Sequence, residues 1–333
     1  MLTMTCISCQ KSDPIELSET IYVKNDGAEM PVYIRGNGAS NTFLVILHGG
    51  PGGNGLEYHL GTYAEQLESS YALAYWDQRG QGMAQGHFSS ESLNMDQMTD
   101  DLRAVIFVLK ERYGQDIRVF LLGHSWGGTL GTAFLLNDSN EAMVNGWIES
   151  DGAHDIPKLN IESVKLFQQV ADEQISLGNS VDSWKSFLEW ANGIDTNSIT
   201  LDQGGEINTK AYEAEQLLLD DGILEDPDPS FPPLIGPTNQ LTSYLMGNFT
   251  SATLEEEIEN TSLTSQLNGI KVPCLFLWGK YDFVVPPQLG IDALNQVNTT
   301  DKELIIFQYS GHSPMDNEPD LFVSSIRDFV DRN

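Results

Sequence analysis

Basic side chains are scarce in this sequence, which has 17 Lys and Arg against 48 Asp and Glu. The formal charge of −31 repels phosphate backbones and anionic headgroups, which argues against a nucleic-acid partner and a bare membrane surface. No apolar run reaches the roughly 18 residues that a membrane-spanning helix requires. We interpret the excess acid as a device for solubility, with life in a salty or extracellular medium as the alternative.

Cysteine is also scarce, and the three that occur are Cys6, Cys9 and Cys274, so no even-numbered disulfide framework is expected. Residues 1–18 are predicted to be a signal-like or disordered N-terminus. The small residues before Cys9 are typical of a lipoprotein signal and would give a lipid anchor on Cys9, although no Lys/Arg-rich segment precedes them. Two locations are therefore left open. The protein is cytoplasmic, or, if the N-terminus is a truncated signal, it is exported as a lipoprotein of the periplasm or outer membrane.

Strand and helix patterns alternate along the first part of the chain. Apolar runs typical of strands buried on both faces occur in TFLVIL, YALAYW and residues 118–122. Between the last two, Leu102, Val105, Ile106 and Leu109 form one apolar stripe of a helix. This alternation predicts an α/β fold with a doubly wound, mostly parallel sheet, preceded by a hairpin over residues 20–35.

The alternation is interrupted by a segment of helical character at residues 153–261. The aromatic residues expected to anchor this segment are Trp184, Phe187, Trp190, Tyr212, Tyr244 and Phe249. A proline-rich stretch at 226–237 is predicted to be a loop within it. The chain is therefore divided into a core, residues 19–152 and 262–333, and an inserted helical cap, residues 153–261.

The strongest catalytic signal is Gly123-His124-Ser125-Trp126-Gly127, which fits G-x-S-x-G between a predicted strand and a predicted helix. Glycines flank Ser125 because a nucleophile on this strained turn leaves no room for side chains two positions away. The motif in this context predicts that Ser125 is the nucleophile of a serine hydrolase.

A serine hydroxyl needs a base within hydrogen-bond reach and an acid that fixes the tautomer of that base. The chain order for this motif is Ser, acid, His, with the last two on loops after late strands. Asp282 and His312 each follow such a strand, and they are predicted to be the acid and the base. Asp151, which follows the strand before the cap, is the alternative acid.

An oxyanion needs backbone N–H donors, and one is expected from Trp126, the residue after the nucleophile. The other is expected from Gly50, in the glycine-rich loop HGGPGG. His48 in that loop is interpreted as holding its shape, and Arg79 in the turn DQRG as paired internally. The sequence has no HExxH, no paired CxxC motifs and no GxxxxGK[ST], so it implies no metal and no cofactor.

The motifs HGGPGG, WDQRGQG, GHSWGG, GKYDFVVP and SGHSP together resemble the proline iminopeptidase branch of the α/β-hydrolases. The resemblance covers almost the whole core. It implies a helical cap over the triad and acidic cap residues that hold the free amino terminus of a short peptide, usually one that begins with proline. The stretch that carries an amine-binding glutamate in many members has no clear counterpart here, and the nearest region is residues 236–240.

These observations predict an aminopeptidase that forms an acyl-enzyme and releases N-terminal proline or a similar residue from short peptides. The first alternative is a carboxylesterase, lactonase or amidase that acts on small acyl substrates with the same triad. Cap carboxylates facing Ser125 would favour the peptidase, and an apolar cap floor would favour the esterase. The second alternative is a non-catalytic binding protein of the same fold. The oligomeric state is left open.

Overall fold

The structure is a computed structural model that describes residues 16–137, 139–227 and 240–333. Most of the predicted N-terminal segment 1–18 lies outside the described residues, and its last residues, from Glu16 onward, belong to the first strand. The predicted loop at 226–237 also lies outside them from residue 228 onward.

The described strands form one mixed sheet. They are β1 (Glu16–Asn25), β2 (Ala28–Asn37), β3 (Thr42–Leu47), β4 (Ala72–Trp76), β5 (Gln85–Gly86), β6 (Arg118–His124), β7 (Gly146–Ser150), β8 (Cys274–Gly279) and β9 (Lys302–Phe307). Their order is β1-β2-β4-β3-β6-β7-β8-β9, with β5 paired to β2. The pairs from β4 through β9 are parallel, and those that β2 makes are antiparallel. The predicted mostly parallel sheet is confirmed.

Helices cover both faces of the sheet. They are α1 (Thr62–Glu68), α2 (Met95–Tyr113), α3 (Trp126–Leu135), α4 (Ile156–Leu177), α5 (Val181–Asn192), α6 (Leu201–Asp220), α7 (Gln240–Glu259), α8 (Gln288–Gln296), α9 (Pro314–Asn317) and α10 (Pro319–Arg332). None of the described helices combines the length and the apolarity needed to cross a bilayer. The helical insertion is confirmed, because α4 to α7 all lie between β7 and β8. We propose that core and cap divide at residues 152/153 and 261/262.

The buried strands divide their side chains between two apolar layers. All six residues of β3 are buried, and Val45 belongs to one hydrophobic cluster whereas its neighbour Ile46 belongs to the other. Successive side chains of a strand point to opposite faces, so a strand covered on both sides needs the continuous apolar run seen in the sequence. Helices α2 and α3 cover the first face, and α1 and α10 cover the second.

The cap is anchored on the core by fewer aromatic side chains than expected. Trp184 is fully buried, and the ring of Phe167 lies 4.7 Å from that of Phe283, which directly follows Asp282. Tyr212, Tyr244 and Phe249 are each more than half exposed. The prediction that these three anchor the cap is therefore wrong: Tyr244 and Phe249 are exposed on α7, and Tyr212 of α6 lines a cavity.

A buried ion pair joins three separate parts of the core. Arg79, which is fully buried, donates from Nε and Nη2 to the two carboxylate oxygens of Asp101 on α2, both at 2.7 Å. It also donates to the carbonyl oxygens of Asn25, the last residue of β1, and of Asp26, which follows it. The DQRG turn is thus structural, with Arg79 paired internally as the sequence predicts.

We expect Arg79→Met to lower the free energy of unfolding by about 3–5 kcal/mol, because it leaves Asp101 buried without its cation. The measurement is the midpoint of urea unfolding at unchanged slope. The control is Lys24→Met in the exposed pair with Glu29, where the expected loss is less than about 1 kcal/mol. Equal losses in the two variants would contradict the assignment of Arg79 as a structural tie.

Candidate active site

Ser125 lies on a sharp turn between β6 and α3. Its backbone has φ 55° and ψ −120°, a conformation that side-chain-bearing residues rarely adopt. A Cβ atom at Gly127 would lie 1.9 Å from the carbonyl oxygen of Leu47, and one at Gly123 would lie 2.4 Å from that of Gly127. The motif therefore needs both glycines because the turn passes directly against β3 and α3.

The predicted base and acid lie together at the same edge of the sheet. Nδ1 of His312, in the loop after β9, is 2.9 Å from Oδ2 of Asp282, in the loop after β8. Oδ1 of Asp282 accepts a second hydrogen bond from the amide of Val285 at 2.7 Å. Burial lowers the pKa of His312, so the imidazole is neutral near pH 7. With Nδ1–H donated to Asp282, the lone pair on Nε2 is available to take a proton.

Asp151, the alternative acid, lies in the same cluster. Its carboxyl group is hydrogen-bonded to that of Asp282, and its Oδ1 accepts from the amide of Gly279 at 2.9 Å. One ligand atom from each of Asp151, Asp282 and His312 lies within 4.8 Å of the others. Burial, together with the nearby charge of Asp282, raises the pKa of Asp151 well above its usual range. Since Asp282 holds the imidazole, Asp151 is the carboxyl that keeps the proton and donates it to Asp282.

Buried polar side chains form hydrogen bonds with the glycine-rich loop after β3. His48 donates from Nδ1 to the carbonyl oxygen of Gly49 at 2.8 Å, and its Nε2 accepts from the amide of Gln78 at 3.4 Å. Burial lowers the pKa of His48 to about 4, so it stays neutral. Asp77 accepts from the amide of Gly55 at 2.7 Å. The interpretation of His48 as a loop-holding residue agrees with these contacts.

The two predicted oxyanion donors lie beside Ser125. Trp126 is the first residue of α3, so its amide has no partner within the helix. Gly50 has φ 124° and lines the same two cavities as Ser125. The neighbouring amide, that of Gly49, donates instead to the hydroxyl oxygen of Tyr58 at 2.9 Å.

A hydrogen-bond chain through His124 connects this loop with the loop of His312. Nε2 of His124 lies 2.7 Å from the carbonyl oxygen of His312, which only accepts, so Nε2 carries the proton. Burial lowers the pKa of His124 to about 3, so its Nδ1 is an acceptor, and Tyr58 donates to it at 2.6 Å. The Tyr58 oxygen in turn accepts from Gly49. The direction of every proton in the chain is therefore determined.

Glu215, on α6 of the cap, also contacts the loops of Asp282 and His312. Its Oε2 accepts from the amide of His312 and its Oε1 from the amide of Phe283, both at 3.1 Å. Burial and the charge of Asp282 raise the pKa of Glu215 to about 8. A Cβ atom at Gly311 would lie 2.3 Å from Oε2, which explains the glycine in SGHSP.

Sequence reasoning missed both Glu215 and the Tyr58–His124 pair. Glu215 stands in the run AYEAEQ, where nothing separates it from Glu213. The available signal was its spacing from Ala211 and Leu218, which puts it on the apolar side of a predicted helix. His124 was visible inside the G-x-S-x-G motif, but its partners are distant in the chain.

Two cavities meet at Ser125. The larger, the cap cavity, has a volume of about 460 Å³ and lies under α4, α6 and α7. Its lining residues include Ala153, Ile156, Leu159, Asn160, Asn208, Glu255, Glu259, Val284 and Val285. The smaller, the histidine-side cavity, has a volume of about 250 Å³. It is lined by Gly49, Gly50, Gly53, Glu57, Tyr58, His124, Ser125, Tyr212, His312 and Ser313.

The sheet order, the turn at Ser125 and the inserted cap are those of the α/β-hydrolase fold, and the chain is a serine hydrolase of this class. The model of the family "Serine aminopeptidase, S33" matches residues 39–222, more than half of the chain. The protein belongs to that family.

Its relatives are distant. The proline iminopeptidase of Saccharolobus solfataricus is 26% identical over 88% of this chain and 86% of that protein. "Probable aminopeptidase YbaC" of Bacillus subtilis is 24% identical over 88% of this chain and 90% of that protein. An esterase from Exiguobacterium antarcticum has a similar structure, with a TM-score of 0.58 at 20% identity, covering 95% of this chain and 100% of that one. A proline iminopeptidase-related protein from Thermus thermophilus has a TM-score of 0.59 at 17% identity, covering 94% and 97%.

We expect Asp151→Asn to keep kcat/KM within about tenfold, because an amide still donates a hydrogen bond to Asp282. Asp282→Asn is expected to lower kcat by about 10³- to 10⁴-fold, since it no longer supports the required tautomer of His312. Both variants are assayed on an activated ester, with thermal unfolding as the control for folding. A loss at Asp151→Asn as large as that at Asp282→Asn would make Asp151 the acid.

Proposed function

We propose that this protein is an aminopeptidase that releases the first residue of short peptides, proline by preference. Ser125 attacks the carbonyl carbon after that residue, while Nε2 of His312 takes the hydroxyl proton. The amides of Gly50 and Trp126 hold the oxyanion. His312 then protonates the departing amine as the C–N bond breaks, and water releases the first residue from the acyl-enzyme.

The observation that carries this proposal is the lining of the cap cavity. Glu255 and Glu259, one turn apart on α7, line the same cavity as Ser125. Burial and the charge of Glu255 raise the pKa of Glu259. A cation placed between two carboxylates offsets their electrostatic repulsion, and the free ammonium group of a peptide is such a cation. Their position in the cap gives the acidic composition a specific role.

The apolar part of the same cavity suits the side chain of the first residue. Ile156, Leu159, Val284 and Val285 line it, and three of them are largely or fully buried. The carbon ring of proline is apolar, and the nitrogen of an N-terminal proline is a free secondary ammonium group, so the ring needs no polar partner other than the group that holds this nitrogen. The cavity thus combines an apolar floor with an acidic end.

The same apolar floor favours the second candidate, an esterase that acts on small uncharged acyl groups. Such an enzyme would use Ser125 and His312 identically, but it would gain nothing from Glu255 and Glu259. The two candidates therefore differ in how catalysis depends on the free amino group of the substrate.

We expect turnover of proline β-naphthylamide that Ser125→Ala abolishes. The measurement is steady-state hydrolysis of this amide beside short-chain p-nitrophenyl esters, with thermal unfolding of Ser125→Ala as the folding control. Ester turnover without amide turnover would move the protein to the esterase class. Activity that survives in Ser125→Ala would contradict the assignment of the nucleophile.

The double variant Glu255→Gln with Glu259→Gln is expected to raise KM for proline β-naphthylamide about tenfold or more, because the ammonium group loses its charged partners. The KM for p-nitrophenyl acetate, which has no amine, is expected to stay unchanged. The matched control is Glu256→Gln, on the same helix but not in the lining of the cap cavity. A parallel change for both substrates would show that the pair shapes the cavity and does not bind the amine.

A further inference from the structure

The two cavities at Ser125 differ in their access to the base. The described lining of the cap cavity contains Ser125 without His312, whereas that of the histidine-side cavity contains both, together with Ser313. The base must reach the atom that departs, because it gives that atom a proton as the acyl bond breaks. The leaving group therefore belongs in the histidine-side cavity, and the acyl group belongs in the cap cavity.

The charged side chain in the histidine-side cavity is acidic. Among its described lining residues, Glu57 is the one carboxylate, and no lysine or arginine lines it. Glu57 is exposed as a residue, but burial of its carboxyl group raises the pKa of that group. Asn54 donates to its Oε1 at 2.6 Å and accepts from its amide at 3.0 Å. This reciprocal pair holds the carboxylate in one place.

Aromatic rings complete the same cavity. Tyr58 and Tyr212 both line it, from the glycine-loop side and from α6 of the cap. The charges of Glu57 and Asp316 both contribute to raising the pKa of Tyr58, after burial, so the local potential is negative. A cation beside a carboxylate and near aromatic faces is stabilised, and a second carboxylate in the same place is repelled.

We infer that the histidine-side cavity selects the leaving group by charge, with Glu57 favouring cationic or neutral leaving groups over those that carry a carboxylate. For a peptidase this means amides, longer peptides and peptides with a basic second residue, in preference to dipeptides with a free C-terminal carboxylate. The assignment of residues to the two sides rests on the proposed function, but the charge selection by Glu57 applies to any acyl substrate.

The test uses two acetate esters of nearly the same shape, acetylcholine and 3,3-dimethylbutyl acetate, whose leaving alcohols differ in charge. At low salt and about pH 8, where a glutamate is ionised, kcat/KM is expected to be about two- to fivefold higher for acetylcholine. The ratio is expected to fall to about one in Glu57→Gln and in about 1 M salt. The matched control is Glu65→Gln, an exposed glutamate of α1 outside the cavity lining, which should keep the wild-type ratio.

A parallel series with prolyl-arginine amide, prolyl-leucine amide and prolyl-glutamate amide tests the same order on peptides. Ester ratios that follow Glu57 without any prolyl turnover would uphold the charge selection and overturn the aminopeptidase proposal. Prolyl turnover with no dependence on leaving-group charge, or a ratio unchanged in Glu57→Gln, would overturn the role of Glu57 alone. A chain that hydrolyses neither series would overturn both.

Discussion

The structure depends on the close approach of the turn at Ser125 to the strands beside it. Strand β6 lies at the centre of the sheet between β3 and β7, so its carboxyl end is surrounded by the loops of its neighbours. With no side chains at Gly123 and Gly127, the turn fits directly against β3 and α3. Parallel strands end at one edge, and the loops that carry Gly50, Asp282 and His312 therefore meet at Ser125. A single added methyl group at Gly127 would lie 1.9 Å from the carbonyl oxygen of Leu47, so the turn at Ser125 would have to move.

The second constraint is the burial of several ionisable groups in one small region. Asp151, Asp282 and Glu215 all lie near His312, and an unpaired buried charge would be costly there. Each is satisfied differently: Asp282 by the imidazole and a backbone amide, Asp151 by keeping its proton, and Glu215 by two backbone amides. Because Glu215 comes from α6, the cap takes part in holding the loops of the base and the acid. Cap and core therefore act as one unit at this site, and a cap of different sequence would need another acceptor for the amides of His312 and Phe283.

The sequence was sufficient for the parts of the molecule in which local pattern and position coincide. The continuous apolar runs predicted the parallel strands, and G-x-S-x-G between a strand and a helix predicted the turn at Ser125. Contacts between residues distant in the chain were not predictable in this way. Glu215 looks like its neighbour Glu213 until α6 is seen beside the loops of β8 and β9, and Tyr58 reaches His124 across 66 positions. The exposed Tyr244 and Phe249 show the same limit. An aromatic residue on a helix is predicted to lie in the core when the sequence does not show which side of the helix packs there.

In the aminopeptidase that we propose, Glu255 and Glu259 of the cap favour a substrate with an ammonium group. An enzyme for uncharged acyl groups would lose stability by placing Glu255 and Glu259 one turn apart at the cavity of its nucleophile, since like charges at this spacing repel. A substrate with an ammonium group would relieve this repulsion when it binds, and the relief would add to its binding free energy. In the same proposal, the carboxylate of Glu57 acts on the other side of Ser125, where a carboxylate on the leaving group would be repelled. A cation drawn to one cavity and an anion excluded from the other would align a peptide with its amino terminus under the cap and its remaining chain beside His312.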